Sequence, residues 1–352
     1  MIRIGIDLGG TKIEGIALDV GGAVLWRERV PAPQSSYGLT LDAIAALVRR
    51  IESDLGERCS VGVGTPGAAS PASGRMRNCN SIWLNGERLR EDLCARLERE
   101  VRIANDADCF ALSEATDGAA AGAATVFGVI LGTGVGGGIC VAGRLLAGPN
   151  AIAGEWGHNL FGGPRGGLAA GRACYCGRSD CVETWLSGPG LVRTFRELAP
   201  GCAHEAGLGG CSNEFEPTGS LPDVPGRFAA PVGPDSSGQV PGRYPHVRMN
   251  PDPRDAAGVA ALASRGDLAA RQALDLHAAQ LAFALAQVIN VLDPHVIVLG
   301  GGVSNIARLY DEVPARWGEW VFSDVVRTAL VPARYGDSSG VRGAAWLFPL
   351  LP

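Results

Sequence analysis

Apolar positions along the chain follow two rhythms. Residues 2–6, 101–104, 126–131 and 295–299 are short, nearly unbroken apolar runs closed by glycine or polar turn residues, as buried strands require. Residues 268–290, and the stretch from Cys109 onward, place their apolar side chains at helical spacing. Strand and helix patterns alternate, which predicts an α/β protein.

Two of the strands end in turns of one design. The first leads into Asp7-Leu8-Gly9-Gly10-Thr11-Lys12 and resumes as a second apolar run; the other leads into Gly132-Thr133-Gly134 and resumes from Val135. Each reads as strand, Gly/Thr turn, strand. Glycine lets the backbone approach an anion, and freed N–H groups with a threonine hydroxyl can cradle phosphate oxygens. Either turn alone would be an ordinary hairpin, but as a pair they favour a split phosphate clamp. Gly132, Gly134 and Gly136 have the spacing of a dinucleotide fingerprint, yet that site needs a helix after the glycines and a strand pattern comes next. A third cluster, Gly300-Gly301-Gly302, closes the strand at 295–299. It is either a plain helix start or a place for a nucleoside against bare backbone.

Composition bounds these readings. The 352 residues, 46% hydrophobic with 51 glycines, suffice for about two domains rich in tight turns. A net charge of −5 supplies no basic patch for a phosphate backbone, which argues against nucleic-acid binding. No unbroken apolar run reaches the ~18 residues of a membrane span. The first strand begins within a few residues of Met1, without leader or cleavage pattern, so a reducing cytoplasm is expected.

Under that expectation, Cys174, Cys176 and Cys181 point to metal. Three thiolates in a C-x-C-x4-C spacing, with His158 upstream, complete a tetrahedral zinc set. The competing readings are a disulfide or free thiols, and Cys140, Cys202 or His204 compete with His158 for the fourth place. Candidate acid–base chemistry lies in Asn105-Asp106-Ala107-Asp108, at the junction of a short strand and a helix. Aspartate there is often only a cap; position between the two clamps favours Asp106 as a base.

These motifs together, from Asp7–Lys12 through Glu155-Trp156-Gly157-His158 and the cysteine run to Gly302, resemble the ROK family of sugar kinases in order and over nearly the whole chain. The resemblance implies an actin/hexokinase/Hsp70-like ATPase fold, two ribonuclease H-like α/β domains facing a cleft. Its small domain would hold residues 1–116 and 340–352 and its large domain 117–339. Asp106 would be the general base. Asp7, Gly9, Gly10, Thr11, Lys12, Gly132, Thr133, Gly134, Gly301 and Gly302 would hold ATP, with Mg2+ reaching Asp7 through water. Asn80, Ser81, Asn105, Asp106, Glu155, His158 and Glu183 would ring the sugar, with zinc on His158, Cys174, Cys176 and Cys181.

Similarity at residues 78–86, 153–159 and 336–346 is greatest to fructokinases of the manno(fructo)kinase type. The expected reaction is therefore fructose to fructose 6-phosphate; N-acetylglucosamine, mannose or glucose is the alternative, and a non-catalytic sugar sensor a third reading. A homodimer is implied, and the repressor relatives' N-terminal DNA-binding helix-turn-helix has no counterpart. Two departures stand out: Asp180 occupies a place where the family has glycine, and residues 200–253, dense in Pro, Gly, Ser and Asp, read as a flexible insertion.

Overall fold

The computed structural model describes residues 2–79, 81–199 and 253–348. The expected insertion, with Cys202 and His204 in it, and Asn80 lie outside the described residues.

Two five-stranded sheets carry the fold. The first is built from β1 (Arg3–Leu8), β2 (Lys12–Leu18), β3 (Val24–Pro31), β4 (Ser60–Thr65) and β7 (Val101–Asn105), in the order β3-β2-β1-β4-β7. Between them run helix α1 (Tyr37–Leu55), the short ribbon β5 (Ala68–Ala69) with β6 (Met76–Arg77), and α2 (Leu89–Leu97). The second sheet takes β8 (Thr125–Leu131), β9 (Val135–Val141), β10 (Arg144–Leu145), β11 (Val296–Gly300) and β12 (Ala329–Pro332), in the order β10-β9-β8-β11-β12. The pairings match step for step: two antiparallel neighbours on one side of the leading strand, two parallel ones on the other. One topology is used twice.

Helices cover these sheets as their apolar faces dictate. Leu41, Ile44 and Val48 of α1 are buried with Ile4, Val61 and Val63 of the first sheet. Beside the second sheet, α4 (Val182–Leu186), α5 (Gly188–Leu198), α6 (Ala256–Ser264), α7 (Leu268–Leu292) and α8 (Leu309–Trp317) enclose a larger core. By length and composition α7 could cross a membrane; Ala270, Leu274, Leu281 and Leu285 are buried where it packs with α5, α6 and α8, while Leu268 and Val291 near its ends are exposed.

A third core joins the sheets through α3 (Asp106–Thr116) and α9 (Ser339–Trp346). Helix α3 leaves the first sheet but packs on β8 and β9 of the second, while α9 lies on β1, β2 and β4 of the first. The two helices touch so closely that a Cβ on Gly343 would stand 1.6 Å from the carbonyl oxygen of Cys109. Polar anchors reinforce the joint. The buried Glu114 carboxylate accepts from Ser339 Oγ at 2.7 Å and from Arg334 N at 3.1 Å, and Arg342 pairs with Asp117.

Candidate active site

Asn105 ends β7 and caps α3, its Oδ1 accepting from Ala107 N at 2.9 Å while its amide nitrogen donates to Gly67 O at 3.3 Å. That cap sets Asp106 as the first helical residue, its carboxylate also accepting from Ala107 N at 2.8 Å. Asp106 stays accessible from a cavity of about 640 Å³ that it lines with Asn105, Glu155, His158, Glu183 and the Gly132–Gly134 turn. Enclosure by surrounding protein pushes its carboxyl above the ordinary range, against the pull of the Ala107 N–H and with the help of the Glu155 charge.

Two more carboxyls are raised nearby. Burial, then the charges of Asp106 and Glu14, bring Asp7 up to about 6. Burial, then Glu155 and Asp106, bring Asp108 to about 7. Concentrated negative charge of this kind suits a site that also receives cations. Glu14 is compensated differently, by Arg27 and Arg29 at 2.6 Å each.

Both predicted turns exist, with unequal support. In the first, Gly9 N donates to Lys12 O and Ala32 N to Thr11 O, both at 3.0 Å; Gly10, Thr11 and Lys12 are exposed. Ser81 is buried beside Gly10, its hydroxyl unpartnered, and it does not line the sugar-sized cavity. In the second turn Gly132 N donates to Gly134 O at 3.0 Å, Gly188 N to Gly132 O at 2.8 Å, and Val135 N to Glu183 Oε2 at 3.0 Å. Gly301 takes φ +82 against this turn, where a Cβ would come within 2.5 Å of Leu131 O, so the third glycine cluster can lie there only as glycine. Gly132, Thr133 and Gly302 then line an adjoining cavity of about 450 Å³ with Asn305 and Arg254.

The metal-ligand reading has matching geometry. The donor atoms of His158, Cys174, Cys176 and Cys181 lie within 4.8 Å of one another. Cys174 Sγ is 3.6 Å from His158 Nδ1, and Cys176 Sγ is 3.6 Å from Cys181 Sγ. Zinc bonds of about 2.3 Å to sulfur and 2.0–2.1 Å to nitrogen give tetrahedron edges of about 3.5–3.8 Å, which these two separations match. Burial opposes ionisation of Cys176, but the Arg178 donors and the neighbouring thiols together bring it down to about 6, toward the ligating thiolate. Cys140 is buried in the joint between the sheets and is not a member. Asp180 adopts the left-handed φ of +54 and repays it, its carboxylate accepting from Gly171 N at 2.7 Å, Arg172 N at 3.1 Å and Trp185 Nε1 at 3.3 Å.

The outer nitrogen of His158, on the side that the resemblance gives to the sugar, lies 2.9 Å from the Tyr175 hydroxyl. Tyr175, Arg178, Gly67, Asn78 and Arg77 line the same cavity and were not anticipated. Tyr175 sits between two ligand cysteines, which was a usable signal. Arg77, whose guanidinium donates to Asn150 O at 2.8 Å, had none.

The profile of the ROK family matches residues 3–350. A relative from Yersinia enterocolitica named N-acetyl-D-glucosamine kinase is 34% identical over 353 residues, 97% of this chain and 98% of its own. An Escherichia coli kinase of that name is also 34% identical, over 357 residues with the same coverage. Among solved structures, a ROK hexokinase from Thermus thermophilus superposes with a TM-score of 0.72 at 27% identity, covering 98% of this chain and 97% of its own. A ROK family glucokinase from Streptomyces griseus, in complex with glucose and AMPPNP, gives 0.68 at 26%, with 99% of each chain covered.

Proposed function

The chain belongs to the ROK family, and from that premise we propose that it is a sugar kinase transferring the γ-phosphate of ATP to the 6-hydroxyl of N-acetyl-D-glucosamine. The observation that carries the chemistry is the single cavity shared by Asp106, Asn105, Glu155, His158 and the Gly132–Gly134 turn. What supports the substrate is the run of relatives bearing that name over nearly their full length. Fructose, the first expectation from the short motifs, has no such support.

In this reading Asp106 accepts the proton of the 6-hydroxyl while the oxygen bonds to the γ-phosphorus and the bond to the β-phosphate oxygen breaks, releasing ADP. Its raised pKa makes it a better acceptor once ionised. Asn105 and Glu155 orient the hydroxyls; His158, its Nδ1 side turned to the thiols, holds one wall. Lys12 and the exposed first turn meet the phosphates from one side and Thr133 with the braced second turn from the other. Bound Mg2+ would neutralise phosphate oxygens, and Asp7, crowded by negative charge, is the residue proposed to hold it through water.

The test is ADP release with N-acetylglucosamine, glucose, mannose and fructose, alongside Asp106→Asn. We expect N-acetylglucosamine to give the highest kcat/KM and the variant to lose about 10²–10⁴-fold in kcat with sugar affinity nearly kept. Fructose in first place would sink the substrate assignment, and an unimpaired Asp106→Asn the base.

A further inference from the structure

A second cavity, of about 740 Å³, adjoins the candidate site and has no part in the chemistry above. Asn105, Glu155, Ala68, Gly137, Ala151 and Ile152 line both, so the two are continuous at that wall. Beyond it the lining changes character. Ala69, Ile103, Ala104, Leu145 and Ala147 present small apolar surfaces. Four of the charged residues at its edge are paired: Arg90 with Glu91 at 2.7 Å and Arg102 with Glu100 at 2.8 Å. Two carboxyls in the lining have no cationic partner among the described residues, Glu155 on the wall shared with the candidate site and Asp108 beyond it. Asp108 lines this cavity alone of the two, its Oδ1 is buried without a hydrogen-bond partner, and it lies two residues from Asp106 on the same first turn of α3.

A buried carboxyl without a partner is costly and calls for one. A hexose hydroxyl could supply a donor, but would leave water against the apolar walls beyond. A secondary amide carrying an alkyl group meets both demands, with its N–H at Asp108 and its apolar end among the alanines. We infer that this cavity receives the N-acyl substituent of an amino sugar, that Asp108 is its polar contact, and that the acyl chain can be longer than acetyl. The inference rests on the proposed amino-sugar kinase reading and goes beyond it in residue and in ligand range.

The experiment measures binding by calorimetry, beside ADP release, for glucose, N-acetyl-, N-propanoyl- and N-butanoylglucosamine on the full chain. Each added methylene that is buried tightens binding about threefold to fourfold, so N-butanoylglucosamine should bind at least as tightly as the N-acetyl sugar. Ala147→Trp, a change at an exposed lining position, should reverse that order. Asp108→Leu should weaken the N-acyl sugars about tenfold relative to glucose, with melting curves showing that both variants fold. Weaker binding of N-butanoyl than N-acetyl by the wild type, or an unchanged order in Ala147→Trp, overturns the inference. N-acyl binding without phosphorylation of any sugar would instead remove the kinase reading and leave the cavity assignment standing.

Discussion

The hairpin β1–β2 and the hairpin β8–β9 start from one design and end in different mechanical states. Both lead a sheet of identical strand order, and both close on glycine and threonine. Among the described residues the first is hydrogen-bonded only to neighbouring backbone, through Gly9, Lys12, Thr11 and Ala32, and leaves Gly10, Thr11 and Lys12 exposed. The second is tied from three directions, by Glu183 at Val135, by Gly188 at Gly132 and by the close approach of Gly301. Topology repeats the position of a turn; the layers added outside each sheet decide how firmly it is held. Under the proposed kinase reading, in which the two turns are the jaws of a phosphate clamp, one fixed jaw and one exposed jaw carrying Lys12 suit a ligand that must enter, be gripped and leave.

The two halves meet at α3 and α9, so breaking that joint has the largest effect we expect. Gly343→Val drives a branched side chain into the Cys109 carbonyl, and neither helix can yield without leaving its sheet. Overpacking of this kind costs about 3 kcal/mol or more, and the variant should fail to accumulate folded or melt at least about 10 °C low. Gly340→Ala, in the same helix but facing open space, should stay within a few degrees of wild type. Equal melting of the two variants would show that the halves do not depend on this contact.

Metal removal should separate the two jaws. Glu183 links the ligand cluster to the second turn, its Oε1 lying 3.8 Å from Cys174 Sγ while its Oε2 holds Val135 N. Chelation, or Cys181→Ala, should lower the melting temperature by roughly 5–10 °C. Hydrogen exchange should quicken at the amides of Val135 and Gly188 and stay as it was at Gly9 and Ala32. Equal loosening of both turns would mean that the cluster supports the whole fold rather than one jaw.

Much of this comparison is legible in the sequence. Both turns, the helix at Asp106, the buried strand at 296–300 and the cysteine cluster are each written within about ten consecutive residues, where periodicity and turn chemistry act locally. What the sequence does not display is set by contacts between distant residues. That α3 packs on the second sheet while meeting α9 depends on Gly343, more than two hundred residues away. Tyr175 closing on His158 is a product of how the ligand loop folds, and no spacing rule marks Asp108 as facing a different cavity from Asp106. The family resemblance reached the kinase class for a similar reason: catalytic motifs are local. The walls of the apolar cavity proposed to read the sugar draw on Ala68, Ala104 and Ala147, which look like any other alanines in the chain.

Two carboxyls are raised by their surroundings, Asp7 to about 6 on β1 and Asp108 to about 7 at the start of α3, the helix that joins the sheets. The folded state therefore binds a proton on Asp108 more tightly than the unfolded chain, where an ordinary value near 3.8 applies. Its contribution to stability is whole below about pH 4 and is lost as the pH rises through 7. Asp108→Asn keeps the shape and removes the titration. The variant should match wild type near pH 4 and gain on it steadily to pH 8, by on the order of 1–3 kcal/mol, read as a growing difference in denaturant midpoint. Asp7→Asn should show the same sign over a narrower window, complete by about pH 6. A difference at Asp108 that is constant with pH would mean its carboxyl is solvated as an ordinary surface group. An unpartnered Oδ1 would then no longer distinguish the apolar cavity from the polar one beside it.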